Sequence, residues 1–217
     1  METLYYNDSP LQSQSSPNAG IDRNIIVKIF AIIFFTTALG GLIFNSTTFA
    51  IPKIFDERLK ILASSATVIG IWAFVVFTVA AFAQLAVGYL IDRHSVKIVF
   101  AVVSGAQAIL FGFMVNLEGM AALIVSIAFM LAVFGQIPIN DVLVGRFSKS
   151  EWRSRAYAAR SFITFSVHGC SIPLIAWLHS NWGFGALFIV LCIGASLIFC
   201  AVMLLPRVQS VLGLKKA

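Results

Sequence analysis

Six stretches of this chain are apolar for long enough to cross a lipid bilayer, and no other feature constrains its fold as strongly. They run at about residues 24–50, 64–91, 96–115, 119–146, 157–178 and 185–205, each near the roughly 20 residues a helix needs to cover about 30 Å of hydrocarbon. The breaks hold charges or helix terminators: Pro52 with the run Lys53 to Lys60, Asp92-Arg93-His94-Ser95, Asn116-Leu117-Glu118-Gly119, the run Ser148 to Arg155, His179 to Gly183, and Pro206. A helix pairs its backbone groups within itself, which lipid requires. The expectation is an all-α membrane protein with six transmembrane helices over residues 23–206, a polar disordered leader at 1–22 and a basic tail at 207–217. Of 217 residues, 59% are hydrophobic and 11% charged, against about 45–50% and about 25% for soluble globular chains. A water-soluble domain is excluded, and six spans leave no length for a soluble catalytic domain.

Net charge is +6, which could signal nucleic acid, but the positions of the charges argue otherwise. Threading six spans places 12 of the 15 Lys and Arg residues on one side: Arg23, Lys28, Arg93, Lys97, Arg146, Lys149, Arg153, Arg155, Arg160, Arg207, Lys215 and Lys216. Only Lys53, Arg58 and Lys60 fall on the other. Cytoplasmic loops are enriched in these residues, so the asymmetry puts both termini in the cytoplasm and gives the basic excess a topological cause. No nucleic-acid partner is expected; the expected surroundings are a lipid bilayer, with a bacterial inner (plasma) membrane as the site. Trp177 and Trp182 suit the headgroup layer on the opposite side. Cys170, Cys192 and Cys200 lie in apolar runs without metal-ligand spacing, and read as small core residues. No metal or cofactor is implied.

Between the second and third runs stands Gly88-Tyr89-Leu90-Ile91-Asp92-Arg93-His94-Ser95-Val96-Lys97. Physically, Gly88 would let helices approach closely, and Asp92 could accept from a helix start or pair with a base. This segment resembles the G-x-L-x-D-R-x-x-x-[R/K] loop of the major facilitator superfamily, and like that loop it follows a second span. The runs around Asn45, Gly135 to Phe147 and Glu151 to His179 look like the seventh, tenth and eleventh helices of a twelve-helix transporter. The resemblance implies a carboxy-terminal half bundle of two inverted three-helix repeats. It also implies a gating set of Gly88, Asp92, Arg93, Lys97, Asp141 and Arg146, with Asp141 paired to Arg93 or Lys97.

Polar side chains inside lipid are costly and mark sites or interhelical bonds. Asn45, Gln84, Gln107, Gln136, Asn140, Asp141 and His168 qualify. Gln136 and Asn140 are four apart, hence on one face, and Pro138 between them can kink the span. Asn45, Gln136, Asn140 and His168 are the expected cavity lining; His168 is also a candidate proton relay. The alternative for each is a bond to a neighbouring helix. Arg160 belongs to a basic amphipathic run that suits the inner headgroup surface or a contact with a second half.

The expected function is movement of a small solute by alternating access, with or without proton coupling, in partnership with a second six-helix half or a second copy. A half-transporter that folds without transporting is the alternative. An intramembrane serine protease built on Ser104 and His168 lacks the first glycine of its GxSG pattern, where Val102 stands, and HExxH and GxxxxGK[ST] are absent, so no enzyme is expected. Single cysteines at Ser9, Glu57, Glu118 and Ser180 test the topology: membrane-impermeant reagent outside the cell should label the last three and spare Ser9, and outside labelling at Ser9 overturns the assignment.

Overall fold

The computed structural model describes residues 23–60, 62–148 and 152–205. The expected leader, the tail and part of the basic run before Arg153 lie outside them. Five α-helices follow in order: α1 (Arg23–Arg58), α2 (Ala66–Arg93), α3 (Val96–Met114), α4 (Gly119–Phe147) and α5 (Arg153–Met203). All five are long and apolar enough to cross a membrane.

Two expected breaks are not where the sequence suggested. Proline lacks an N–H and ordinarily ends a helix, yet α1 continues through Pro52 to Arg58. The extra turns are held by packing, with Ile51, Ile54 and Phe55 fully buried, and the exposed Lys53 Nζ adds ion pairs with Asp56 at 2.7 Å and with Glu57 at 3.7 Å at helix-supporting spacings. The His179 to Gly183 segment, expected as a loop between the last two spans, is helical except at one residue. There α5 breaks: Gly183 has φ 71° and ψ −175°, so two helical pieces meet at a kink. That region of backbone space is nearly closed to any residue with a Cβ. A sharp bend made by one glycine replaces the loop.

Packing follows from which faces are apolar and small. α1 lies along α5 and also touches α4; α2 packs on α4; α3 packs on both α4 and α5. At the α3–α4–α5 junction Phe111, Phe129 and Phe188 are fully buried, with ring centroids 5.3, 5.9 and 6.3 Å apart, distances at which aromatic rings attract. Phe134 joins the other side, 5.3 Å from Phe44 of α1 and 6.3 Å from Phe77 of α2. α2 and α4 come so close that a Cβ on Gly135 would stand 2.8 Å from Val87 Cγ2. Outward faces are equally apolar: Phe74, Leu85, Phe162 and Phe165 are all exposed, which lipid tolerates and water does not. Cys170 and Cys200 also face outward and Cys192 is half-buried, so the cysteines are not the core residues expected; in lipid an outward thiol loses nothing by leaving the core.

One side chain fastens the end of α1. Arg58 donates through Nη1 to the carbonyls of Met114 and of Leu117, the latter at 3.0 Å, and through Nη2 to Val115 at 3.0 Å. Its guanidinium carbon lies 5.2 Å from the Phe188 ring centroid. These carbonyls end α3 and start the α3–α4 loop, where no helical partner exists. Hydrogen bonds to charged groups are worth about 1.5–3 kcal/mol each, with heavy overlap when one group makes several. Arg58→Ala should therefore lower the stability of the detergent-solubilised protein by about 2–4 kcal/mol, and Arg58→Lys by less; a chemical-denaturation midpoint unchanged in Arg58→Ala would remove the clamp from the account.

Candidate functional site

Helical periodicity sets up one stripe on each of two facing helices. On α1, Thr37, Gly41, Asn45, Phe49 and Lys53 recur every four residues; on α5, Arg160, Thr164, His168, Ile172 and Ala176 do the same. The two stripes lie along a common seam that opens into a cavity at each end.

At the Arg160 end, α4 joins the seam and closes a cleft of about 210 Å³ lined by Thr37, Gly40, Gly41, Phe44, Asn45, Val133, Gln136, Ile137, Asn140, Arg160 and Thr164. Asn45, Gln136 and Asn140 are 4%, 3% and 7% exposed, so three of the four residues expected to line a cavity line the same one. Their hydrogen bonding is incomplete. Gln107 Nε2 of α3 donates to Gln136 Oε1 at 2.9 Å and to the Ala132 carbonyl at 3.0 Å. This fixes the Gln136 amide, while Gln136 Nε2, Asn140 Oδ1 and Thr37 Oγ1 have no protein partner among the described residues. Buried amides left this way cost roughly 1–3 kcal/mol each, a cost that a bound polar solute or water would remove. Neighbouring hydroxyls behave differently: Thr36 and Thr47 bond the carbonyls of Ile33 and Ile43 one turn back, at 3.1 and 2.8 Å, and contribute no free donor.

The cleft exists because α1 carries glycine where α4 comes nearest. A Cβ on Gly40 would stand 2.6 Å from Gln136 Nε2. The floor carries charge: Arg160 Nη1 bonds the Asp141 carboxylate, and Tyr157 Oη donates to the Asp141 carbonyl at 3.1 Å. Sequence reasoning placed Arg160 on a headgroup-facing run, and gave Asp141 to Arg93 or Lys97. Both assignments are corrected by helix phase, because Arg160 falls on the same stripe as Thr164 and points its guanidinium at α4.

The loop motif is arranged differently from the ionic cluster expected of it. Lys97 Nζ donates to the carbonyls of Met203 and Leu205 at 2.7 and 2.6 Å, where a cation suits the carboxyl end of a helix. The guanidinium carbon of Arg93 lies 4.5 Å from the Tyr89 ring centroid. Asp92 and Arg146 are exposed, with no ion pair among the described residues. Asp92 does not cap α3 either: its N-cap is Ser95. Nor does Gly88 serve a close approach, since a Cβ there would meet nothing within 4 Å; Gly40 and Gly135 are the glycines at contact.

His168, the fourth expected cavity residue, stands apart from the amide cleft. Its ring meets Phe49 edge-on at 5.2 Å, one turn beyond Thr164 and one turn before Ile172. Past it the seam reopens into a cavity of about 370 Å³ lined by Phe49, Ala50, Lys53, Ile172, Ile175, Ala176, His179 and Phe184. His179 Nε2 lies 2.8 Å from Glu57 Oε1 at this mouth, a pair hidden from sequence reading because 122 residues separate its members. Gln84 takes no part in either cavity. Ser104 is buried and donates to the carbonyls of Phe100 and Ala101 at 2.8 and 3.3 Å, which is not the arrangement of a nucleophile with His168.

Residues 31–217 match the family described as Major Facilitator Superfamily. The chain belongs to this superfamily. Its members are transporters of small solutes rather than enzymes, and five apolar helices make this one an integral multi-pass membrane protein. A search of curated proteins returns no match.

Gly40 offers a test of how the cleft is built. Alanine is favoured over glycine in a helix by about 1 kcal/mol, while displacing the Gln136 amide forfeits a buried bond of about 1 kcal/mol and leaves Gln107 unpaired. Gly40→Ala should therefore cost no more than about 2 kcal/mol in thermal unfolding. A clear gain in stability would mean that the Gln136 amide is not held in place.

Proposed function

We propose that the α1–α5 seam is one wall of a solute path, and that the protein works as a secondary transporter by alternating access. The observation that carries this reading is the gathering in one cleft of buried polar atoms without partners, the Gln136 and Asn140 amides of α4 and the Thr37 hydroxyl of α1, beside the buried Asn45. Stable membrane proteins pair such groups; a site that must bind and release a polar solute leaves them available. The second cavity on the same seam, with Phe49 and His168 between the two, supports a path with access from either end. The Glu57–His179 pair stands at the mouth of the second cavity, where a gate would act.

The kink at Gly183 supports six crossings, with the two pieces of α5 as the fifth and sixth spans, and two inverted three-helix repeats as the family organisation. In this reading both termini are cytoplasmic and the Arg160 end of the seam faces inward. A polar cleft cannot open onto lipid, so a further helical wall covers it during transport. That wall is a second six-helix half or a second copy. His168 supplies the proton if transport is proton-coupled.

Proteoliposomes containing the chain, with and without a six-helix partner, can be screened for uptake of radiolabelled amino acids, sugars and organic acids under a pH gradient. Saturable uptake should require the partner and fall at least about tenfold in Asn140→Leu, the effect of losing one well-placed polar contact of about 1.4 kcal/mol. Saturable uptake by demonstrated monomers, or uptake indifferent to Asn140→Leu, would refute the reading.

A further inference from the structure

The floor of the amide cleft carries more donor capacity than the protein uses. A guanidinium presents five N–H groups in a planar fork, and among the described residues the side chain of Arg160 spends only Nη1, on Asp141. Its side chain is 18% exposed, whereas that of Asp141 is 49% exposed. The cation is thus the more buried member of the pair. Its counterion is the more exposed partner, and Arg160 itself belongs to the cleft lining. A half-buried cation with spare donors, lining the same cleft as the buried and unpartnered Gln136 Nε2 and Asn140 Oδ1, is a built site and not a surface ion pair.

We infer that the cleft takes a small organic solute bearing one carboxylate, held bidentately by the free edge of the Arg160 guanidinium, with its polar remainder read by Gln136 and Asn140. The inference rests on the solute-path reading given above and narrows it to a substrate class. Charge decides for a monoanion. With Asp141 in place the floor is neutral, so an incoming monocarboxylate adds one negative charge, which is offset when the half-exposed Asp141 swings toward water. A phosphate dianion would add two in a setting with no second cation in the lining. The planar fork matches two carboxylate oxygens in one plane. Asp141 is then a resident stand-in for the ligand's carboxylate, competing for Arg160 when the cleft is empty.

The test uses the full chain in nanodiscs and thermal unfolding at constant ionic strength. The probes are acetate, propionate and butyrate, each paired with acetamide, propionamide or butyramide, and inorganic phosphate. At about 10 mM, well above a millimolar Kd, at least one acid should stabilise the protein while its amide and phosphate do not. Arg160→Gln should weaken the apparent affinity for that acid by roughly tenfold to a hundredfold, the worth of a charge-assisted pair. Asp141→Asn should tighten it by about two- to fivefold, since a half-exposed competitor is removed. A merely structural ion pair predicts no such gain, so Asp141→Asn keeps the proposal falsifiable if Arg160→Gln fails to fold. Amides that stabilise as well as acids, with binding lost in Asn140→Leu but kept in Arg160→Gln, would overturn the carboxylate inference and leave the solute path standing. Phosphate matching the acids would also overturn it. If no probe stabilises the protein the carboxylate inference fails here, whereas the solute path is judged separately by the uptake experiment.

Discussion

A hydrogen-bonding group surrounded by hydrocarbon must find its partner inside the protein, and nearly every feature of this structure answers to that constraint. It makes the chain helical from Arg23 onward. It also explains where polar side chains go. Thr36, Thr47 and Ser104 bond carbonyls of their own helices, Gln107 reaches across to Ala132 and Gln136, and Arg58 and Lys97 cover carbonyls that helix ends would otherwise leave bare. Cations serve as caps in a protein with few charges to spare. Some buried atoms have no partner among the described residues: Ser46 Oγ and Ser126 Oγ lie apart, whereas Thr37 Oγ1, Gln136 Nε2 and Asn140 Oδ1 come together in the cleft between α1, α4 and α5. Their gathering around one cavity, with the Arg160 guanidinium beside them, is the strongest local sign of a binding site.

Close approach is the second organising element, and it is made by absence. Gly40 allows the Gln136 amide to lie against α1, and Gly135 admits Val87 between α2 and α4. With lipid outside as apolar as the side chains within, van der Waals fit and hydrogen bonds hold helices together instead of hydrophobic burial. The aromatic cluster of Phe111, Phe129 and Phe188 supplies such fit at one end of the bundle, and the Arg58 guanidinium joins it to the loop carbonyls. The α3 side is thus filled by aromatic rings, whereas the α1–α5 seam, though its helices pack extensively, holds two cavities. That asymmetry is what a path with movable walls requires.

The seam also shows why partners of a charge are hard to read in one dimension. Asp141 was expected to meet the bases of the loop motif, and it meets Arg160 instead; Lys97 leaves the motif to cap the end of α5. A helix turns 100° per residue, so a pairing depends on the rotational phase of both helices and on their relative depth, neither of which motif spacing contains. Helix ends posed a similar problem. Pro52 and the polar residues near His179 are ordinary stop signals, overridden here by the burial of Ile51, Ile54 and Phe55 and by a single glycine that makes the turn without a loop.

The sequence by itself determined what depends on solvent and on periodicity. Apolar runs specify helices that cross lipid, and the four-residue spacing of Gln136 and Asn140 puts two amides on one face. A loop motif at the second turn points to the superfamily. Each of these is a local or compositional property, conserved under any packing of the helices. Tertiary structure alone decided which helices meet. It brought Asn45 from α1 to that amide face, separated His168 from the cleft by one helical turn, paired Arg160 with Asp141 and Glu57 with His179, and placed the close approaches at Gly40 and Gly135 rather than at Gly88. Such juxtapositions arise from side-chain fit between helices distant in the chain, summed over many weak contacts, and no short stretch of sequence holds that sum.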